Sequence, residues 1–405
     1  MRKYILGIAL AAALICGTKS YAQYNREYFF WVGRSCMMNN DYQEAIRTLN
    51  TLLRFDEDAF EGYFLRGIAK YNLDDLLGAE DDFSTAIRLN PVYTQAYTYR
   101  AITRSRLGNY DDALQDFREA IDLRPDLPDA YYSRGYTRLQ NKQYEEAIED
   151  FDKFIFQENK VADAYIGRGT AYLYLKDTVR ALENFDQAIR TNRENPNGYY
   201  QRGTLLLQKE EYARAEADFD MSIRCDSAFL PPYFNRAVVY SNTNRPMQAL
   251  ADFDRVLQLD STNSFTYFNR AILRTQIGDY NRALDDFDRV ALYSPGNVQV
   301  YYLRAMLKTR LGDLEGAERD YTRAIELYPD FANAYLNRSA LRYALHNPKA
   351  AKRDEEIAQR KIAEYKSHLK DSTYSIYADT TQRMDKLLAF DNQFTNNYFD
   401  RISEQ

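Results

Sequence analysis

An alanine recurs every 34 residues through most of this chain, and this period constrains the fold more than any other feature. The ten alanines form an unbroken series: Ala45, Ala79, Ala113, Ala147, Ala181, Ala215, Ala249, Ala283, Ala317 and Ala351. An aromatic residue follows the same period: Phe29, Tyr63, Tyr97, Tyr131, Tyr165, Tyr199, Tyr233, Tyr267, Tyr301 and Tyr335. A period of this length indicates repeated supersecondary units that must stack, because one unit cannot bury its apolar face alone.

The repeats can be numbered as ten units over residues 26–365, with position 1 at Arg26, Phe60, Thr94 and so on. Positions 4, 8 and 11 have helical spacing, and so do positions 20, 24 and 27, which predicts two helices per unit. Position 4 is aromatic, and position 8 is Gly, Ala or Ser. Small residues at positions 8 and 20 allow the two helices to approach closely, while aromatic residues at positions 4 and 24 fill the remaining space.

A 34-residue unit with this pattern resembles the tetratricopeptide repeat, a pair of antiparallel helices. The resemblance implies an all-α fold: a right-handed superhelical solenoid of about ten helix-turn-helix units with a concave groove. The last unit departs from the pattern, since Glu355 replaces the aromatic residue and Asn347-Pro348 begins a helix that continues past the unit's end. This helix is predicted to cap the array. Residues 366–405 are expected to be its extension and a tail.

The first 22 residues have the pattern of a secretory signal peptide. Arg2 and Lys3 precede an apolar run over 4–16, and Ser20-Tyr21-Ala22 follows, which predicts cleavage near Ala22 and export to the periplasm or cell envelope. An uncleaved anchor or lipidation of Cys16 is the alternative. Asp-Ser and Asp-Thr sites such as Asp177 resemble the O-glycosylation motif of exported Bacteroidota proteins, although such pairs also form turns and caps.

Charge and composition argue against several classes of function. Asp and Glu outnumber Lys and Arg by 59 to 53, whereas nucleic-acid binding needs a basic surface. Two His and three Cys leave little material for a metal site or for Cys/His catalysis, and no catalytic motif is present. We therefore expect a protein that is not an enzyme and needs no metal or cofactor. Cys36 and Cys225 are predicted to be separate, mostly buried thiols.

Two rows of opposite charge run through the units. Position 7 is Arg in nine units: Arg66, Arg100, Arg134, Arg168, Arg202, Arg236, Arg270, Arg304 and Arg338. Position 23 is Asp in eight: Asp82, Asp116, Asp150, Asp218, Asp252, Asp286, Asp320 and Asp354. The two positions lie almost opposite each other in an antiparallel pair, which predicts a ladder of ion pairs, because unpaired buried charge is costly. A row of arginines that grips phosphate or an acidic polymer is the alternative.

The resemblance implies that positions 2, 5, 6, 9, 12 and 13 of the first helices face the groove. The candidate partner-binding residues there are aromatic at position 5, namely Tyr132, Tyr200, Phe234, Phe268 and Tyr302, and amides at position 6, namely Gln201, Asn235, Asn269 and Asn337. Amides can hydrogen-bond both groups of a peptide backbone. This row resembles the asparagine ladder of the O-GlcNAc transferase family. In the alternative, the position-5 aromatics pack between adjacent first helices.

The first unit differs from the others, because Phe30 and Trp31 lie in a helix that is apolar all round and should be covered. Local capping, self-association or a partner could cover it. The leading functional hypothesis is an exported scaffold that binds a peptide or protein partner in the groove. A structural or assembly subunit of an envelope complex, held through this end or through the tail, is the second hypothesis. A glycan-binding surface, suggested by 36 tyrosines, is the third.

Overall fold

A computed structural model describes residues 26–367 of the chain. Within this range the backbone forms twenty helices and no β-strand, two helices for every 34-residue unit. The all-α array of ten helix pairs expected from the period is therefore confirmed.

The first helix of each pair has 13 or 14 residues, and the second helix has 14 in every pair but the last. Helix α1 spans residues 26–38. The other first helices are α3 (Phe60–Asn72), α5 (Thr94–Arg106), α7 (Pro128–Gln140), α9 (Ala162–Tyr174), α11 (Pro196–Gln208), α13 (Leu230–Asn242), α15 (Ser264–Gln276), α17 (Val298–Leu311) and α19 (Ala332–Ala344). The second helices are α2 (Tyr42–Phe55), α4 (Leu76–Leu89), α6 (Tyr110–Leu123), α8 (Tyr144–Gln157), α10 (Thr178–Thr191), α12 (Tyr212–Cys225), α14 (Pro246–Leu259), α16 (Tyr280–Tyr293), α18 (Leu314–Leu327) and α20 (Pro348–Ser367).

The chain divides into two compact bodies, residues 1–193 and 194–405. The described part of the first body holds units 1–5, α1 to α10, and that of the second holds units 6–10, α11 to α20. In each body a first helix packs against the second helix of its own unit and against the second helix of the preceding one. Each body is thus a stack in which a unit contacts its neighbours along the chain.

The core of each helix pair is built as the small-residue pattern predicts. All ten alanines at position 20 have no exposed surface, and the phenylalanines at position 24 are buried against position 8. A Cβ atom added to Gly67 would lie 2.6 Å from Cε1 of Phe83, and one added to Gly169 would lie 2.7 Å from Cε1 of Phe185. Glycine is needed at these two positions because the aromatic ring occupies the place of a side chain.

Helix α20 is longer than the other second helices, at 20 residues. Its first turn is held by Asn347, whose Oδ1 accepts a hydrogen bond from the amide of Ala350 at 3.3 Å. Ala351 and Ala358 bury its apolar side, while lysines, arginines and glutamates cover the other side. The segments 1–22 and 371–405, for which a signal peptide and a tail are predicted, lie outside the described residues. No helix among residues 26–367 combines the length and apolarity that a membrane crossing requires.

Candidate functional site

The arginines of position 7 and the aspartates of position 23 form the predicted ladder. Arg134 shows the pattern: its Nε donates to Oδ2 of Asp150 at 2.8 Å and its Nη2 donates to Oδ1 at 2.7 Å. The same fork joins each of the eight Arg–Asp pairs. Since these carboxylates are buried and already hold two donors each, the ladder is structural.

Seven of the position-7 arginines make two further contacts that the sequence interpretation missed. The guanidinium stacks over the position-4 tyrosine of its own unit, as Arg66 does over Tyr63 at 5.3 Å and Arg270 over Tyr267 at 5.4 Å. Its Nη1 reaches position 25 of the preceding unit, as Arg304 Nη1 does to Asp288 at 2.8 Å. The arginine therefore joins two units, and a planar fork suits this place better than lysine does.

The position-5 aromatics pack between neighbouring first helices, which was the alternative to groove binding. Phe234 has no exposed surface and stacks on Phe265 with ring centroids 5.0 Å apart. Tyr302 lies 4.7 Å from Phe331, and Tyr200 and Phe268 are only 3% exposed. Tyr132 is half-buried against Tyr136 and Phe154. The structure therefore corrects the expectation that these rings line an open surface.

The predicted row of amides is also largely internal. Asn235 and Asn269 have no exposed surface. Nδ2 of Asn235 donates to Oγ1 of Thr204 at 3.1 Å, and Nδ2 of Asn269 donates to the carbonyl of Phe265 at 2.8 Å. These two amides cannot reach a ligand, because the surrounding protein encloses both side chains. Gln201 and Asn337 are half-buried, and Nδ2 of Asn337 donates to the hydroxyl of Tyr302 at 3.0 Å.

The first unit presents the exposed aromatic end that its composition suggested. Trp31 is 59% exposed with the Arg34 guanidinium 5.4 Å from its ring, while Phe30 is half-buried and meets the tryptophan edge to face at 5.7 Å. Tyr28 and Met38 add to this exposed apolar surface. Phe30 and Trp31 are thus brought together in unit 1, and the other candidate residues belong to later units of the chain.

A different surface is more open to a ligand, and we call it the first-helix stripe. Positions 2, 6, 9 and 13 share one side of a first helix, opposite the side that packs on the second helix. In units 2–5 the stripe consists of Glu61, Leu65, Ile68 and Asn72, then Gln95, Tyr99, Ile102 and Arg106, then Asp129, Ser133, Tyr136 and Gln140, then Asp163, Gly167, Thr170 and Tyr174.

The stripe has an apolar centre and polar edges. Leu65, Ile68, Tyr99, Ile102 and Tyr136 are half-buried, so part of each apolar side chain faces solvent. At the edges, the carboxylates at position 2 and the amides at position 13 are mostly exposed. In the second body the matching centre is closed in units 7 and 8, where positions 6 and 9 are buried. The first body therefore offers the more accessible track.

The hydroxyls of Tyr99 and Tyr136 on the stripe stay protonated at neutral pH, because burial raises the pKa of both. Burial, and then the negative charge of Asp129, raise the pKa of Tyr99 above its ordinary value. Tyr136 donates its hydroxyl to the backbone carbonyl of Asp163 at 2.7 Å. Neutral rings beside carboxylates favour a ligand that brings apolar and positively charged groups. Position 9 was among the groove positions that the resemblance implied, so Tyr136 could have been found by enumerating it.

Groups for metal or thiol chemistry are sparse in the part of the chain that the structure describes. No set of three or more His, Cys, Asp or Glu side chains in residues 26–367 is placed to hold a metal ion. Cys36 and Cys225 form no disulfide in this range, and both are half-buried, where the sequence predicted mostly buried thiols. Burial raises the pKa of each thiol, which makes neither an activated nucleophile.

Solved structures with a similar fold include tetratricopeptide repeat proteins of low identity. One from Parabacteroides merdae is 19% identical, covers 61% of this chain and 98% of its own, and has a TM-score of 0.49. The C-terminal part of a repeat protein from Cytophaga hutchinsonii is 21% identical over 58% of this chain and 96% of its own, with a TM-score of 0.45. YrrB, described as a TPR protein with an unusual peptide-binding site, is 22% identical over 44% of this chain and 92% of its own, with a TM-score of 0.35.

Family models identify the repeats directly. A model described as "Tetratricopeptide repeat" matches residues 33–94, 166–228 and 268–330, and one described as "TPR repeat" matches residues 104–142. No curated protein matches the chain. The matched segments together span more than half of the sequence and agree with the helix pairs in the structure. The chain belongs to the tetratricopeptide repeat family.

Proposed function

We propose that the protein is an exported, non-enzymatic scaffold that binds a peptide or helix of a partner protein on the first-helix stripe of its first body. The observation that carries this proposal is the half-buried apolar centre of the stripe, from Leu65 to Tyr136, between exposed polar edges. Members of the tetratricopeptide repeat family generally mediate protein–protein interactions, so a binding surface is the expected kind of site.

The chemistry of the stripe favours a partner segment that carries apolar side chains and lysine or arginine. Glu61 and Asp129 are exposed at one edge, and neither carboxylate is in an ion pair with another described residue. Arg106 at the opposite edge is already paired with Asp74 at 2.7 Å. The stripe can therefore accept positive charge without first breaking an internal ion pair.

The test is site-specific photo-cross-linking in the organism that makes the protein. A photoreactive phenylalanine analogue replaces Gln95 or Gln140 on the stripe, and replaces Glu119 or Glu149 on the exposed side of second helices as controls. We expect the same partner from both stripe positions and from neither control. The double variant Glu61→Lys with Asp129→Lys should reduce that product about tenfold, because like charges now meet.

A matched variant separates the edge charges from net charge. Glu119→Lys with Glu149→Lys makes the same charge change on second helices, and it should leave the cross-linked product unchanged. Equal products from stripe and control positions, or none from the stripe, would contradict the binding surface. A product that survives the stripe reversal would contradict its preference for positive charge.

A second function is favoured by the exposed end of the first unit. Trp31, Tyr28 and Met38 form an apolar surface that suits a structural subunit of an envelope complex. Trp31→Asp should release the protein from such a complex in native extracts, whereas it should not change cross-linking from the stripe. The two functions are therefore distinguishable.

Export is part of the proposal and rests on residues 1–22. Protein isolated from its own cells is expected to begin at Gln23, since the predicted cleavage follows Ala22. Mass spectrometry of the N-terminal peptide measures this directly, and an N-terminus that still contains the apolar run would contradict cleavage.

A further inference from the structure

The arginine ladder has one irregular step, between units 3 and 4 of the first body. At seven of the eight unit junctions inside the two bodies, Nη1 of the position-7 arginine meets an acceptor at position 25 of the preceding unit, 2.5–3.0 Å away. These acceptors are Asn50, Ser84, Asp152, Asp220, Asp254, Asp288 and Thr322. At the remaining junction, position 25 is Arg118.

Arg134 therefore faces a cation where its counterparts face an acceptor. It is only 8% exposed, and its Nε and Nη2 are used by Asp150. Among the described residues its Nη1 has no hydrogen-bond partner, although the atom is not enclosed by protein. A guanidinium that is more than nine-tenths buried thus directs an unused donor towards Arg118.

A pocket of about 410 Å³ lies at this junction, and Arg118, Arg134 and Arg138 line it. Two carboxylates, Asp111 and Glu146, also line it, and both are exposed. The polar contacts of the arginines are few: Arg118 Nη2 donates to Gln115, and Arg138 Nη1 donates to Asp150 and to the carbonyl of Glu146. Three arginines thus line one pocket, and the buried carboxylate of Asp150 pairs with two of them, Arg134 and Arg138.

The surroundings of Arg138 also contain little negative charge. Burial, together with the charge of Arg134, lowers the pKa of its guanidinium, in spite of the opposing effect of Asp150. In Arg104, the matching residue one unit earlier, Nε is bonded to Glu80 and the pKa is raised. Nε of Arg138 is buried without a partner, because Leu114 occupies the place of that glutamate. Nε of Arg274 is also buried without a partner, so the unpaired Nε of Arg138 supports the site but does not define it.

We propose that the pocket at the junction of units 3 and 4 binds a phosphate-type oxyanion between Arg118 and Arg134, as a free ion or as a phosphoryl group on a partner. Such an anion presents several oxygens, which can accept from Nη1 of Arg134 and from the guanidinium of Arg118, and it supplies the acceptor that position 25 lacks. Positions 7 and 11 lie on the side of the first helix opposite the stripe. The site is therefore independent of the surface proposed above for partner binding.

The test uses Arg118→Asp in the full chain, which places at position 25 the residue found at most other junctions. Arg289→Asp is the matched control, since it makes the same charge change at an exposed arginine of α16 in the second body. Thermal unfolding midpoints are measured while inorganic phosphate replaces chloride at constant ionic strength. We expect phosphate to raise the midpoint of the wild type and of Arg289→Asp by about 2–4 °C, and that of Arg118→Asp by less than 1 °C.

Without phosphate, Arg118→Asp should unfold at a higher temperature than the wild type, because the new carboxylate gives Arg134 its missing acceptor at position 25. Phosphate should reduce this difference between the two unfolding midpoints. A difference that stays constant would show a structural effect alone and overturn the proposal. Equal shifts of the unfolding midpoint by phosphate in all three proteins would also overturn it. So would a wild type that responds neither to inorganic phosphate nor to the phosphopeptide described next.

The second probe is a short phosphoserine peptide, compared with its unphosphorylated form. Binding of the phosphopeptide that weakens at least about tenfold in Arg118→Asp assigns the site to a phosphorylated partner. An Arg118-dependent response to inorganic phosphate without one to the peptide assigns it to the free ion.

Discussion

At the scale of single residues, the turn between the two helices of each unit depends on one backbone conformation. Position 15 has a positive φ in all ten units, from 57° at Asn244 and His346 to 87° at Gly312. Only three units place glycine there, and Lys142, Lys176 and Glu210 are among the others. A residue with a Cβ atom is strained in this region of φ, so these units are less stable than they would be with glycine at position 15.

Glycine at these turns should therefore stabilise the protein. Lys142→Gly, Lys176→Gly and Glu210→Gly are each expected to raise the free energy of unfolding by about 0.5–1 kcal/mol, the relief of strain less the greater freedom of glycine in the unfolded chain. Urea denaturation measures the change. Glu149→Gly, in the middle of α8, is the control and should lower stability by about 1 kcal/mol. A loss of stability in the turn variants would contradict the strain.

At the scale of elements, the junctions of the ladder differ in how many carboxylates bind the position-7 arginine. Some arginines are bonded to two carboxylates and others to one. Arg270 is held by Asp286 and also by Asp254, and Arg168 tolerates Asn184 at position 23 because Asp152 remains. The carboxylate of Asp150 serves Arg134 and Arg138, as that of Asp286 serves Arg270 and Arg274, but Arg134 has no anion at position 25. The same substitution should thus have unequal effects along the array.

Asp150→Asn is expected to cost about 3–5 kcal/mol of unfolding free energy, because it leaves a buried arginine without a counter-ion. Asp286→Asn should cost about 1–2 kcal/mol less than Asp150→Asn, since Arg274 loses its carboxylate as Arg138 does, whereas Asp254 still neutralises Arg270. Chemical denaturation of the two variants gives the comparison. Equal losses would show that position 25 contributes nothing to the pairing.

The ladder also shows how far the sequence could predict the site. Position 7 is Arg in nine units and position 23 is Asp in eight, so their pairing followed from the period. Position 25 varies among Asn, Ser, Arg, Asp, Thr and Glu and gave no signal by itself. The exposure of Asn235 and Asn269 was predicted incorrectly for a related reason. The helical phase predicts which side of the helix a residue occupies. Burial depends on how closely a neighbouring first helix approaches, as the hydrogen bond from Asn235 to Thr204 of α11 shows.

At the scale of the whole molecule, the period predicted ten similar units but not the division at residues 193 and 194. Inside each body, helices contact those of the same and the adjacent unit, so stability should be a sum of local terms. The first body contains five complete helix pairs with their own cores, including Ala45, Phe83, Phe117 and Phe151. A fragment that keeps whole pairs should therefore keep its fold.

Residues 26–193 expressed alone are expected to fold into the same helix pairs and to unfold cooperatively, with the helical content per residue that the full chain shows in circular dichroism. The control fragment 26–175 ends after α9 and removes α10, whose Ala188 packs in one cluster with Tyr165 and whose Phe185 contacts Gly169. Its last unit should lose helix, because α9 alone exposes that apolar side, and its unfolding midpoint should be lower. Equal stability of the two fragments would mean that the helix pair is not the unit in which this chain folds.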